Sequence, residues 1–354
     1  MSKRTSSVMV VAVLSVAFLL AACGSRSTSG TTQDVAGVVE GDLDAVCEAG
    51  ADEGSLVFWG SEESETQDKL EADFSATHPG INVDFLSLRP EDIAQRLILE
   101  SASSRASEVD VIEGNLDAFE PLVDRELIDQ DVDWATVGVR DSIITESNMV
   151  RKNRIANGIV YNPQVTPEES LPDTWEDLID PAWAGTVVVD PRGNPLQSLA
   201  LEWGVDGAVD YVERLKDVVQ PVVIEGGTAG MLTVASGENQ LTTNGRSAET
   251  LEQQAVGSPL EIHYLDIIPT SDFYQAVVTG AQHPNAAACW TAWTVGEEGA
   301  AKGLEYAFKS NDDIPPGASE GAVIAAIETQ DELTDAVAAA GRISEIWAGV
   351  AGTK

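Results

Sequence analysis

Three groups of short polar residues stand where apolar runs end, the places at which a chain can offer hydrogen bonds to a ligand. Gly226-Gly227-Thr228-Ala229-Gly230 follows the run Pro221 to Ile224 and opens a helical stretch. The free N–H groups and positive end of such a helix suit an anion, although a tight turn capped by Thr228 uses the same residues. Arg192-Gly193-Asn194 follows Thr186 to Val189. Its forked guanidinium fits a carboxylate or phosphate of a ligand, or a carboxylate of its own acidic surface. Thr242-Thr243-Asn244-Gly245 supplies three short hydrogen-bonding side chains and then a turn. Trp59 ends a buried run, where it either stacks on a ligand or fills the core.

The chemistry that would make an enzyme is not written in the chain. It has no GxSxG elbow, no HExxH, no Walker A loop and no GxGxxG after a strand, so no catalytic residue is assigned. The three histidines, His78, His263 and His283, lie far apart and no CxxC pair occurs, so no metal or cofactor site is expected. The charge is −39, from 59 acidic against 20 basic residues. A surface of that sign repels phosphate backbones and excludes nucleic acid as a partner; solvation of a salt- or acid-exposed surface accounts for it.

The elements that must position these residues alternate. Ser55 to Gly60 reads as a buried strand, Glu62 to Thr77 as a helix stopped by Pro79-Gly80, and Ile81, Val83 and Phe85 as a second strand. A helix follows from Pro90-Glu91-Asp92, then a third strand over Val109 to Ile112. A second α/β series begins near Ile155, with strands at 159–161, 186–189, 221–224 and 260–266. Glu332 to Val350 is an Ala-rich amphipathic helix. This order predicts a mostly parallel sheet wrapped by helices, with ligands at the carboxyl ends of strands. The loops after the first and third strands, Gly60 to Ser64 and Glu113 to Asn115, therefore join the candidates.

The N-terminus reads as an address. Lys3 and Arg4 precede an apolar stretch, Val8 to Leu20, which is short for a bilayer span. It ends in Leu20-Ala21-Ala22-Cys23, which resembles the lipobox of bacterial lipoproteins. The resemblance implies cleavage before Cys23 and acylation of its thiol; an ordinary export signal with a chance cysteine is the alternative. Residues 1–23 are thus expected to be a lipoprotein signal with its lipidated cysteine, and 24–53 a flexible acidic tether. Cys47 and Cys289 then remain as two thiols in an oxidising compartment, where a bridge between them persists if it forms.

Several longer stretches look familiar. His78-Pro79-Gly80-Ile81-Asn82-Val83, Val160-Tyr161-Asn162, Leu171 to Gly185 with its Thr-Trp-Glu-Asp-Leu core, Ser236-Gly237-Glu238 and His283-Pro284-Asn285-Ala286-Ala287 resemble extracellular solute-binding proteins of ABC importers. Within these they resemble the branch that includes ferric-iron, thiamine, phosphonate and polyamine binders. The resemblance implies a two-lobed α/β fold of the type II periplasmic-binding-protein kind, with hinge-crossing strands and a ligand cleft between the lobes. On that basis lobe 1 is expected over 54–155 and 261–320, and lobe 2 over 156–260 and 321–354. The cleft would be lined by Ser61, Glu62 and Asn115 on one side and by Arg192, Asn194, Thr228 and Thr243 on the other. A bridge between Cys47 and Cys289 would then fall within lobe 1. The implied partners are a small polar solute, an ABC permease and its ATPase, with the membrane reached through the lipid. Phosphate, phosphonate and carboxylate groups are among the ligand chemistries that suit the donors. The protein is expected to act as a monomer on the outer face of the cell membrane. A sensor or scavenger without a permease, or a secreted enzyme on the same scaffold, are the alternative readings. The tyrosines that relatives place after Gly-Glu are absent here, where Asn239 to Gly245 follow, so ferric iron held by two phenolates is not expected.

Overall fold

The computed structural model describes residues 37–103 and 107–351; the expected signal sequence with Cys23, and the rest of residues 1–36, lie outside the described residues. The first described helix is α1, Leu43–Glu53. The sequence placed this stretch in the flexible tether, because its apolar face is only Val46, Cys47 and Gly50. It is ordered by its ends and by one covalent bond. Asp42 accepts from the Ala45 N–H, Gly54 takes the left-handed conformation that stops the helix (φ 84°), and Cys47 is bridged to Cys289. Gly50 lets α1 lie directly on the backbone of Ala286, since a Cβ there would meet the Ala286 Cα at 2.8 Å.

The elements that follow alternate as the apolar runs predict: β1 Ser55–Gly60, α2 Ser64–Thr77, β2 Asn82–Ser87, α3 Pro90–Ser101, β3 Val111–Gly114 and α4 Leu116–Val123. Strand β1 pairs parallel with both β2 and β3. The chain then enters β4, Val150–Tyr161, all twelve residues of which are buried. The second series runs through β5 Val187–Val189, α5 Ala200–Val219, β6 Val222–Val223, α6 Gly227–Ala235, β7 Leu241–Arg246, α7 Ser247–Ala255 and β8 Glu261–His263. Strand β9, Ile267–Val277, precedes α8 Pro284–Val295, α9 Glu297–Ala307, β10 Val323–Ala325 and α10 Gln330–Ala351. Among the described residues no helix is long and apolar enough to cross a membrane.

Strand order is β2-β1-β3-β9-β4-β7-β5-β6. The long strands β4 and β9 join two half-sheets. The first half of β4 pairs antiparallel with β9, from Val150↔Gln275 to Ala156↔Thr270; its second half pairs with β7 and β8. The transfer falls at Gly158, where a Cβ would lie 2.6 Å from the His263 carbonyl oxygen, so only glycine lets the strands close up there. Each half-sheet has its own core. Phe58, Phe74, Trp290 and Trp293 form an aromatic cluster in the first. Trp175, Tyr211, Leu215, Ile343 and Trp347 pack the second, which brings α10 back onto α5. Trp59 is a core residue, with the Arg96 guanidinium 4.2 Å from its ring centre.

Strands β9 and β10 were not read in the sequence, and two others were not read in their full extent. β4 begins five residues before Ile155, where the second series was expected to start, because Arg151, Lys152 and Arg154 look like a loop, yet all three are buried in ion pairs. β7 contains the Thr-Thr-Asn-Gly run that reads as a turn.

Candidate binding cleft

A cleft of about 540 Å³ opens where the two half-sheets meet, within the range of small-molecule sites. Its floor is Thr270–Tyr274 of β9 with Asn157 of β4; one wall is the start of α4, and the other comes from the loop after β5, the start of α6 and the end of β7. Residues of α10, Leu333, Ala336, Val337 and Ala340, add an apolar edge.

Asp190, at the end of β5, organises the second wall. Its Oδ1 accepts from the Arg192 N–H at 2.9 Å and from Nε at 3.0 Å. Its Oδ2 accepts from the second guanidinium nitrogen at 2.7 Å, the Gly226 N–H at 3.0 Å and the Asn244 side-chain amide at 3.1 Å. One buried carboxylate thus ties together the β5 loop, the entry to α6 and β7. Burial alone would raise its pKa, but the hydrogen bonds from Arg192 and Gly226 outweigh that cost and hold it below the ordinary aspartate value. Gly226 has φ 96°, and at Gly227 a Cβ would stand 3.1 Å from the Asn244 carbonyl oxygen. The glycine pair therefore lets α6 start against β7, its first N–H groups without a side-chain cap.

Of the residues singled out in the sequence, Asn115, Arg192, Asn194 and Thr228 line this one cleft. The other three stand elsewhere. Thr243 is fully buried inside β7 and donates to the Val188 carbonyl at 3.4 Å; strand alternation turns its neighbour Asn244 to the cleft instead. Glu62 is ion-paired with Lys309 at 2.8 Å and lines a separate cavity of about 20 Å³ with Lys152 and Asn153. Burial works against its carboxylate, but Lys152 and Lys309 together hold its pKa below the usual range. Ser61 is exposed and is not part of the cleft lining. What sequence reasoning missed is Asp117, Arg246, Glu249, Thr270 and Asp272. A signal existed for Arg246, one residue past the Thr-Thr-Asn-Gly run; none existed for Thr270 and Asp272, whose strand was not recognised.

Among the described residues one group of His, Cys and acidic side chains lies within metal-ligand distance, Cys47, His78 and Cys289. Its two sulfurs are joined in the disulfide, which makes it a bridge with a histidine neighbour.

Two half-sheets joined by crossing strands, with a polar cleft at the seam, define a two-lobed binding protein. The family model for bacterial extracellular solute-binding proteins matches residues 59–301, and the chain belongs to that family. Solved structures share the fold at low identity. Iron-bound HitA from Pseudomonas aeruginosa is 18% identical, with a TM-score of 0.59, over 84% of this chain and 99% of that one. Trichodesmium IdiA (FutA), in complex with iron and citrate, is 16% identical, with a TM-score of 0.66, over 84% and 99%. The Atu4243-GABA receptor is 16% identical, with a TM-score of 0.61, over 85% and 98%. No curated protein matches the chain.

Proposed function

We propose that this protein is the lipid-anchored receptor of an ABC importer, taking up a small polar organic solute between its lobes and presenting it to a membrane permease. The observation that carries the reading is the cleft itself. It lies across the seam spanned by β4 and β9, so a ligand touching both walls favours a closed form by hinge motion. Asn115 serves on the first wall and Arg192, Asn194 and Thr228 on the second. Lobe 1 comprises 54–155 with 261–320, and lobe 2 comprises 156–260 with 321–354. Binding is the whole of the chemistry in this reading.

Two of these structural neighbours hold iron and the third is a GABA receptor, so the fold leaves the ligand open and the lining has to decide. Among the described residues Tyr274 is the one tyrosine in that lining, and burial pushes its phenol well above the ordinary value. No histidine among the described residues lines the cleft. A hard trivalent ion wants several anionic oxygens; the phenol is reluctant, and of the lining carboxylates Glu249 and Asp272 are already held by Arg246 and Arg154, which leaves Asp117.

The test is to denature the purified protein, identify the released solute by mass spectrometry, and titrate that solute calorimetrically into refolded protein. Arg192→Ala and Thr228→Ala should each weaken binding about 5- to 150-fold, the loss of about 1–3 kcal/mol for a donor that the ligand covers on closure. Unchanged affinity in both folded variants would place the site elsewhere. Tight stoichiometric uptake of ferric citrate with a visible charge-transfer band would overturn the organic-solute reading.

The anchor is tested separately. Cys23→Ala should move the protein from the membrane fraction to the medium or leave an unprocessed precursor, because several acyl chains at ~0.8 kcal/mol per buried methylene are what hold it. A variant that still fractionates as a mature lipoprotein would refute the anchor.

A further inference from the structure

Each arginine that reaches the cleft arrives already neutralised. Arg192 is paired with Asp190 at 2.7 Å and Arg246 with Glu249 at 2.5 Å. The carboxylate of Asp272, on the floor, is held by Arg154 at 2.6 Å from behind. Asp117, in the first turn of α4, is the remaining charged group of the lining. It accepts a hydrogen bond from the Asn115 amide, and no cation pairs with it among the described residues. The cleft therefore holds one carboxylate in excess, inside a protein whose overall charge is −39. A phosphate or other free anion would enter against both the local charge and the surrounding field.

The opposite requirement comes from the hinge strands. Thr270 is 8% exposed and its Oγ1 has no hydrogen-bond partner; Arg246 Nε is likewise buried and unpartnered. Both line the one cleft, from the two strands that flank β4 there, β7 and β9. Buried donors left without acceptors are costly, and such groups in native proteins have partners. The pair asks for an oxygen-rich acceptor from the ligand, while Asp117 on the other wall asks for a cation.

Taking the cleft as the solute site proposed above, we infer that its ligand is a small zwitterion, with its carboxylate on Arg246 and Thr270 and its ammonium group on Asp117. Asp117 is then the residue that sets specificity. It rejects simple anions by repulsion and neutral polyols by leaving its own charge unpaired. The zwitterion brings no net charge into the acidic field and satisfies both ends at once.

The purified protein is titrated with glycine, β-alanine, 5-aminopentanoate, 6-aminohexanoate and the L-α-amino acids. Each is accompanied by the acid lacking its amine and the amine lacking its acid; inorganic phosphate, methylphosphonate and glucose complete the panel. At least one zwitterion should bind, and both its truncated counterparts should bind at least about tenfold more weakly. Asp117→Asn should weaken the zwitterion about tenfold or more and tighten the matching carboxylic acid, which the aspartate charge no longer repels. Thr270→Val, nearly isosteric and suited to a strand, should cost about fivefold or more, which keeps the test open if the Asp117 variant folds poorly. Phosphate, methylphosphonate or glucose binding tightly, with sensitivity to Arg192→Ala and none to Asp117→Asn, would overturn the zwitterion and leave the receptor reading intact. No response to any amino acid would also overturn it. No response to the amino acids and none to the small-molecule fraction of spent growth medium would overturn both readings.

Discussion

Replacing Cys47 and Cys289 together by alanine should lower the unfolding free energy by about 5 kcal/mol. The bridge joins residues 242 apart in sequence, so it closes almost the whole globular body into one loop, and the chain-entropy cost of opening so long a loop is of this size. The effect should appear as a fall in Tm of about 10 °C, given about 2 °C per kcal/mol for a domain of this length. The native state should respond locally as well. Without the bridge, α1 keeps the contact of Val46 and Gly50 with α8 and the Glu53 carboxylate accepting from Asn285 and from the Ala286 N–H at 2.8 Å. α1 is the first element of the described body and is joined to it through α8, so it is the part whose protection from proteolysis should be lost first. Urea denaturation with and without reductant measures the global term. A loss smaller than about 1 kcal/mol would mean that the unfolded chain is already compact around this contact.

How far the sequence could be read depended on where each element keeps its polar groups. The strands β1, β2, β3, β5 and β6 carry apolar runs bounded by Gly, Pro or charged residues, and all five were recognised within a few residues. β4 and β9 carry charge in their interiors: Arg151, Lys152 and Arg154 on one, Asp272 and Gln275 on the other. The charged ones are satisfied by partners far off in sequence, 118 residues for Arg154 with Asp272, 162 for Arg151 with Asp313 and 39 for Lys152 with Glu113, so no local pattern announces burial. The same holds for the cleft. Asn115, Arg192, Asn194 and Thr228 stand at strand ends beside Gly or Pro, where loop chemistry is visible. Arg246, Glu249 and Thr270 stand within regular elements, and only the placing of β7, α7 and β9 around β4 brings them to one cleft. Glu62 shows the converse. Its place after β1 makes it look ready for a ligand, yet Lys309, 247 residues on, already holds it.

Asp272→Ala should be the most damaging single change in the molecule, costing about 3–5 kcal/mol. Arg154 and Asp272 face each other directly across β4 and β9, the two strands that join the lobes, and both are buried. The guanidinium donates from Nε to both carboxylate oxygens at 3.0 Å and from a terminal nitrogen at 2.6 Å. Its other contacts are the Asp313 carbonyl at 3.2 Å and Glu328 at 3.1 Å, the latter more than half exposed and screened by water. Removing Asp272 leaves a buried cation with only those two for company, which is the costly way to break an ion pair. Removing both charges is a different matter, since a buried pair exchanged for apolar side chains of similar size is often neutral or stabilising. Arg154→Met combined with Asp272→Leu should therefore recover most of the stability that Asp272→Ala loses, and urea denaturation of the single and double variants forms the cycle that measures it. The recovered protein should still bind poorly, because Asp272 lies in the floor of the cleft and its replacement by leucine puts a branched apolar side chain where β9 meets the ligand. A single variant as stable as the parent would mean that Glu328 and the Asp313 carbonyl suffice for Arg154, and that the crossing strands are held together by their backbone ladder rather than by this pair.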